Sequence, residues 1–262
     1  MISAAEDQGV LRIEMRGAAL HLRLSDPTRR NVLGSDLLAA LATRLGEVAT
    51  APSVRAVILS GDGAVFSAGH DLREIESGSP EESAALFQRC AELMMAIRNL
   101  PVPVIASVCG LATAAGCQLV AACDLAVAGD RARFQTPGGI IGLFCSSPAV
   151  PLVRAIGRKR TLEMLLLAEP VDAHTAAAWG LVNRVVPEAD LDLEIDRLVA
   201  AILRSSPDAI ARGKATFYRQ AEIDERTAYE VAAQAMARDA SSADAREGIR
   251  AFLEKRRAVW SR

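Results

Sequence analysis

Aromatic side chains are scarce in this sequence: two tryptophans, two tyrosines and six phenylalanines, 4% of 262 residues. A platform that stacks single-stranded nucleic acid needs more of them. Positive charge is not in surplus either. With 30 Lys and Arg against 32 Asp and Glu the net charge is −2, so no face is basic enough to grip duplex nucleic acid. No apolar run reaches membrane-spanning length, and MISAAEDQGV carries acids where a signal peptide wants positive charge. The five cysteines are scattered, odd in number and without a C-x-x-C pair. They read as reduced, mostly buried thiols of a cytoplasmic protein. No internal repeat, low-complexity linker or Pro/Gly-rich hinge divides the chain. What remains is an ordinary globular composition, 51% hydrophobic and 24% charged, with length enough for a sizeable core.

The patterning predicts an α/β fold. VLRIEMR and ALHLRL alternate apolar and polar residues around Gly17, as a hairpin does. Ser35 is expected to cap the helix SDLLAALATRLGEVA. VRAVILSG and VIASVCG are continuous apolar runs closed by glycine, the mark of buried parallel strands. Between them the helix EESAALFQRCAELMMAIRNL must stop before Pro101 and Pro103. A short helix from about Ala115 and a strand, CDLAVAG, follow. Beyond VNRVV (182–186) the pattern turns to helices without strands, either a cap on the same core or an arm to a neighbour.

Two glycine-containing bends, in AVFSAGHDL (64–72) and ATAAG (112–116), follow neighbouring strands. Small residues at such bends let backbone approach a ligand closely, and the carboxyl edge of a parallel sheet is where α/β proteins bind. The second bend also opens a helix, so its N–H groups lie at the positive end of a dipole. Two free amides of this kind suit an oxyanion, the enolate or tetrahedral oxygen of an attacked carbonyl. From spacing alone, two tight turns without a ligand account for the same residues. Neither bend has the G-x-G-x-x-G or P-loop spacing of a nucleotide site.

FSAGHDL, GLATAAGCQLVAACD, FQTPGGIIGL and EGIRAFLEKR, in order along nearly the whole chain, resemble the enoyl-CoA hydratase/isomerase (crotonase) family. With GLFCSSP and GKATFY they resemble more closely its enoyl-CoA hydratase domain-containing protein 3 subgroup. The resemblance implies a crotonase-type spiral of ββα units over residues 1–190, and a C-terminal helical trimerisation region over 191–262. It also implies an acyl-CoA thioester as ligand, in a homotrimer or dimer of trimers, with no metal and no cofactor beyond the coenzyme A of the substrate. By position, the oxyanion donors are the backbone amides of His70 and Ala115. The His70 side chain either faces the pocket or is a solvent-facing loop residue; His21 and His174 receive no role. Ala68 and the backbone of Asp71 and Leu72 fall where the family holds the adenine, and Arg29 and Arg30 beside the phosphates. Phe252 and Lys255, three apart on the last helix, match residues that reach a neighbour's coenzyme A. Without the resemblance, Lys255–Arg257 reads as a solvated basic helix end.

Hydratases of this family use two glutamates to hold and deprotonate water. Those positions here are Gln118 and Gly138, still twenty residues apart. Neither side chain accepts a proton near neutral pH. Other members place a carboxylate near Ser146, where this chain has GLFCSSP; Cys145, Ser146 and Ser147 offer only a polar contact, or a Cys145–His70 couple. Three functions stay open on this basis. One is an enzyme working through the oxyanion hole without these bases, for instance in decarboxylating a malonyl-type thioester. The second is residual hydratase or isomerase activity, and the third is a non-catalytic acyl-CoA-binding regulatory trimer.

Overall fold

The computed structural model describes residues 5–7 and 9–261; Met1–Ala4, on which part of the N-terminal reading rests, lie outside them. In chain order the elements are β1 (Ala5–Asp7), β2 (Leu11–Arg16), β3 (Ala19–Leu24), α1 (Ser35–Val48), β4 (Ala56–Gly61), β5 (Val65–Ser67), α2 (Leu72–Ser77) and α3 (Pro80–Asn99). Then come β6 (Val104–Val108), β7 (Leu111–Thr113), α4 (Ala115–Ala122), β8 (Leu125–Gly129), β9 (Arg133–Gln135), α5 (Ser146–Leu167), β10 (Val171–Asp172), α6 (Ala173–Trp179) and β11 (Arg184–Val186). The chain ends in α7 (Leu191–Ile202), α8 (Pro207–Gln220), α9 (Glu225–Ala240) and α10 (Ala243–Leu253).

The expected spiral is present. Each strand pair sends its first member into a seven-stranded sheet, order β1-β2-β3-β4-β6-β8-β11, and its second into a four-stranded sheet, order β10-β9-β7-β5. Thus β4, β6 and β8 run parallel in one sheet while β5, β7 and β9 run parallel in the other. Their turns come out on a common edge, and helices carry the chain back. The β2–β3 hairpin turns at Gly17, whose φ of +59° is easy only for glycine. Leu20, Leu22, Val57, Leu59, Val104 and Phe134 fill the main core. On the other face of the large sheet, Leu191, Ile195 and Leu198 of α7 pack on Ile58, Ile105 and Val127.

Two local expectations need correction. Ser35 does not cap α1; it is the first helical residue, and Gly34 is the N-cap without a side-chain bond. The Glu74 carboxylate takes over, accepting from Ser35 N at 3.1 and 3.2 Å and from Ser35 Oγ at 2.8 Å. A Cβ on Gly34 would stand 2.6 Å from Glu74 Oε1, so glycine is what admits this long-range cap. Lys255 is not on the last helix: α10 ends at Leu253, and Lys255 lies beyond it with φ +55°. Its three-residue spacing from Phe252 therefore does not make one helical face.

Candidate active site

The first bend is built around a buried amide. Asn31, fully buried with φ +51°, donates from Nδ2 to Asp62 O at 2.9 Å and Val65 O at 2.7 Å. Its carbonyl accepts from Ser67 Oγ at 2.8 Å, and Ser67 Oγ accepts from Gly69 N at 3.2 Å. The Gly69 carbonyl is turned onto Leu33 N at 2.7 Å. In a trans peptide the following N–H points the opposite way, so this bond aims the His70 amide out of the bend.

The second bend uses the same device. The Ala114 carbonyl accepts from Gln118 N at 3.0 Å, which turns the Ala115 N–H outward from the start of α4. Ala114 N donates to Gln135 O at 2.9 Å, fixing the bend on the end of β9. Among the described residues neither the His70 nor the Ala115 amide has an acceptor. The bends touch: a Cβ on Gly69 would lie 2.8 Å from Ala115 N and 2.9 Å from Ala114 Cβ. One on Gly116 would lie 2.3 Å from Ser67 O. Glycine at both places lets the two bends lie directly against each other.

Ala114 holds φ 51°, ψ −120°, a conformation glycine takes freely and alanine does not. Such strain is worth on the order of 1–3 kcal/mol, against about 0.5–1 kcal/mol for the greater unfolded freedom of glycine. Ala114→Gly is therefore expected to raise the unfolding free energy in urea by roughly 1 kcal/mol. A loss of stability would show that the bend is unstrained.

His70 is not a solvent-facing loop residue. Its ring meets Phe87 of α3 edge-on, centroids 5.1 Å apart, and its Nε2 is buried without a hydrogen-bond partner among the described residues. Burial drives its pKa down to about 4, against the opposing charge of Glu74, so the ring is neutral at pH 7. It forms no hydrogen bond with Cys145, whose thiol burial pushes up.

The two positions of the expected glutamates differ in surroundings. Gln118 is 3% exposed, one turn into α4, with Oε1 buried and without a hydrogen-bond partner among the described residues. Gly138 lies in a 3-10 turn, Pro137–Ile141, and the chain folds back against it at Leu143 and Cys145. A Cβ there would stand 2.0 Å from Leu143 O and 2.7 Å from Cys145 Sγ. Ser146 is exposed as the first residue of α5, its amide on Phe144 O at 2.7 Å.

Of the residues assigned to coenzyme A, Ala68 donates its amide to Arg30 O at 2.9 Å. Asp71, 7% exposed, caps α2 by accepting from Arg73 N at 3.1 Å. The amide of Leu72, first in α2, has no acceptor among the described residues. Arg29 is engaged by Asp71. Arg30, exposed at φ 57°, makes no ion pair among the described residues and is the freer cation of the two. Phe252 is 83% exposed and Lys255 exposed.

Sequence reasoning missed Asn31, Ser67 and Phe87, which shape the first bend. Asn31 alone left a trace, since asparagine is enriched at positive φ. No group of acidic, histidine or cysteine side chains suited to a metal gathers among the described residues. None of their helices is long and apolar enough to cross a membrane.

The enoyl-CoA hydratase/isomerase family model matches residues 14–262. Mouse enoyl-CoA hydratase domain-containing protein 3, mitochondrial, is 49% identical over 239 residues, covering 91% of this chain and 80% of its own length. The crystal structure of the human protein of that name superposes with a TM-score of 0.93 at 46% identity, over 96% of this chain and 100% of that one. An enoyl-CoA hydratase structure from Mycobacterium smegmatis gives 0.94 at 48% identity, over 97% and 99%. The mouse, rat and human relatives are named mitochondrial, which overturns the cytoplasmic assignment. Unpaired thiols ask only for a reducing compartment and do not say which one. Spiral, bends and sequence agree: the chain belongs to the enoyl-CoA hydratase/isomerase (crotonase) family, in its enoyl-CoA hydratase domain-containing protein 3 branch.

Proposed function

We propose that the protein binds an acyl-CoA thioester and holds its carbonyl oxygen between the His70 and Ala115 amides, without a carboxylate base at Gln118 or Gly138. The observation that carries this reading is the pair of touching bends, each turned so that an amide without an acceptor faces the same space. An enolate or oxyanion formed there is stabilised by both N–H groups and by the dipole of α4. Chemistry that depends on an added water is then slow. A second reading, a binder that performs no reaction, draws support from Gly138, where neighbouring backbone occupies the room an acid would need.

The exposed Phe252, Leu253, Ile249 and Met236 of the last two helices favour a homotrimer or dimer of trimers in which Phe252 and Lys255 lie near another subunit's coenzyme A. Light scattering at micromolar concentration is expected to give a mass of three or six chains, and a monomer speaks against this arrangement. Calorimetry with butyryl-CoA tests the binding itself. Lys255→Ala is expected to weaken it by about 1–3 kcal/mol, the range for a charge-assisted contact to phosphate. No heat of binding from the unaltered protein would remove both readings.

A further inference from the structure

We propose that Ser67 is a positioning residue for the thioester carbonyl: its buried hydroxyl sets the direction of the His70 amide and its spacing from the Ala115 amide. This rests on the acyl-CoA reading above and deepens it.

Ser67 is the last residue of β5 and is fully buried. Its hydroxyl donates to Asn31 O at 2.8 Å and accepts from Gly69 N at 3.2 Å. Asn31 is anchored in turn through its side chain. Oδ1 accepts from Asp26 N at 2.9 Å, and Nδ2 donates to Asp62 O at 2.9 Å and Val65 O at 2.7 Å. The carbonyl that Ser67 meets is therefore a fixed point. The second bend rests on the same residue. Ser67 is the register partner of Ala112 in β7. A Cβ on Gly116, the residue after Ala115, would stand 2.3 Å from Ser67 O and 2.8 Å from Ser67 Cβ. Ser67 thus touches both bends.

Gly69, at φ +82°, is the joint next to the His70 amide. Glycine has the widest choice of backbone angles, so the peptides on either side of it keep their orientation only when something bonds them. Ser67 Oγ holds the N–H of Gly69, and Leu33 N holds its carbonyl. The peptide on the carbonyl side carries the His70 N–H. Freed on its N–H side, Gly69 can rotate and take that amide with it, and the room is small, since a Cβ there would lie 2.8 Å from Ala115 N. A hydroxyl that only satisfies buried backbone would, when lost, lower stability and nothing else. A positioning hydroxyl would, when lost, also weaken binding in proportion to what the carbonyl contributes.

The test is calorimetric titration of the whole chain with butyryl-CoA and with S-butyl-CoA, a thioether of equal length that lacks the carbonyl oxygen. In Ser67→Ala the affinity for butyryl-CoA is expected to fall about five- to tenfold, and that for S-butyl-CoA by less than about twofold. The infrared band of an isotope-labelled thioester carbonyl is expected to lie lower in the unaltered protein than in free butyryl-CoA, and to move back toward the free value in the variant. Ser67→Cys keeps the side-chain length with a weaker donor and acceptor; it is expected to fall between the two, and it decides the question if Ser67→Ala does not fold. Equal losses for the two ligands, or a carbonyl band that the substitutions leave in place, give Ser67 a purely structural role and overturn the inference alone. Unchanged affinity for both ligands does the same, as does a fold that survives neither substitution. A carbonyl band at the free value in the unaltered protein, or no binding of either ligand, overturns it together with the acyl-CoA reading.

Discussion

Lys214→Met is expected to cost about 3–5 kcal/mol of stability, the range for breaking one side of a buried ion pair, and to lower Tm by roughly 10 °C. Lys214 Nζ donates to Ile97 O and Val102 O at 3.0 Å and to Asp124 Oδ2 at 2.6 Å, with 8% of the side chain exposed. Asp124 also accepts from Val104 N at 2.7 Å and Tyr218 Oη at 2.8 Å. Burial pushes the Lys214 pKa down, against the carboxylate beside it. Methionine fills the volume but leaves Asp124 as a carboxylate in a mostly buried place, and two carbonyls without their donor. Asp124→Asn added to Lys214→Met removes the stranded charge and is expected to restore part of the loss. A loss below about 1 kcal/mol in urea unfolding would show that the pair behaves as a surface one. The same contacts join α8 to the last turn of α3 and to the segments that follow α3 and α4; α3 also carries Phe87, and α4 opens at Ala115. Weaker acyl-CoA binding is therefore expected alongside the lower Tm.

Periodicity exposed the parts of this fold whose causes are local. The β2–β3 hairpin, the end of α3 before Pro101, the short α4 and the four terminal helices lie where alternation, helical spacing and proline place them. The start of α3 is local too: Ser79 and Glu82 close a capping box, each side chain on the other's backbone. What escaped has a distant cause. Gly34 replaces Ser35 as the cap of α1 because Glu74, 39 residues away, supplies the acceptor. GKATFY was legible only as part of a resemblance, since the partners of Lys214 come from three other segments. The site divides in the same way. Two glycine bends and the absence of acids at Gln118 and Gly138 could be read residue by residue. That the Gly69 and Ala114 carbonyls orient the amides, and that His70 packs on Phe87, depends on packing no spacing encodes.

Hydration of crotonyl-CoA by the unaltered protein is expected to run at least about 10²-fold below an ordinary hydratase, since loss of one general base typically removes 10²–10⁴-fold in rate and Gln118 and Gly138 stand at the two positions that the resemblance assigns to the bases. Gln118→Glu is the change expected to raise it. The position is 3% exposed, and burial raises a carboxylate's pKa toward neutrality, where a general base works best. The neighbouring Ala115 amide would already hold the thioester oxygen. Gly138→Glu is expected to fail, alone or added to Gln118→Glu. Its Cβ would meet Leu143 O at 2.0 Å and Cys145 Sγ at 2.7 Å, and backbone cannot step aside as a flexible side chain does. Overpacking of this kind typically costs about 1–3 kcal/mol, and the segment from Leu143 to Cys145 would have to move before the carboxylate reached the pocket. The readout is the loss of enoyl-thioester absorbance after mixing with crotonyl-CoA, with Tm recorded for each variant. A rate in the unaltered protein equal to that of ordinary hydratases would mean that a residue other than these two supplies the base. A stable, faster Gly138→Glu variant would mean that the turn at Pro137–Ile141 opens more readily than its contacts imply.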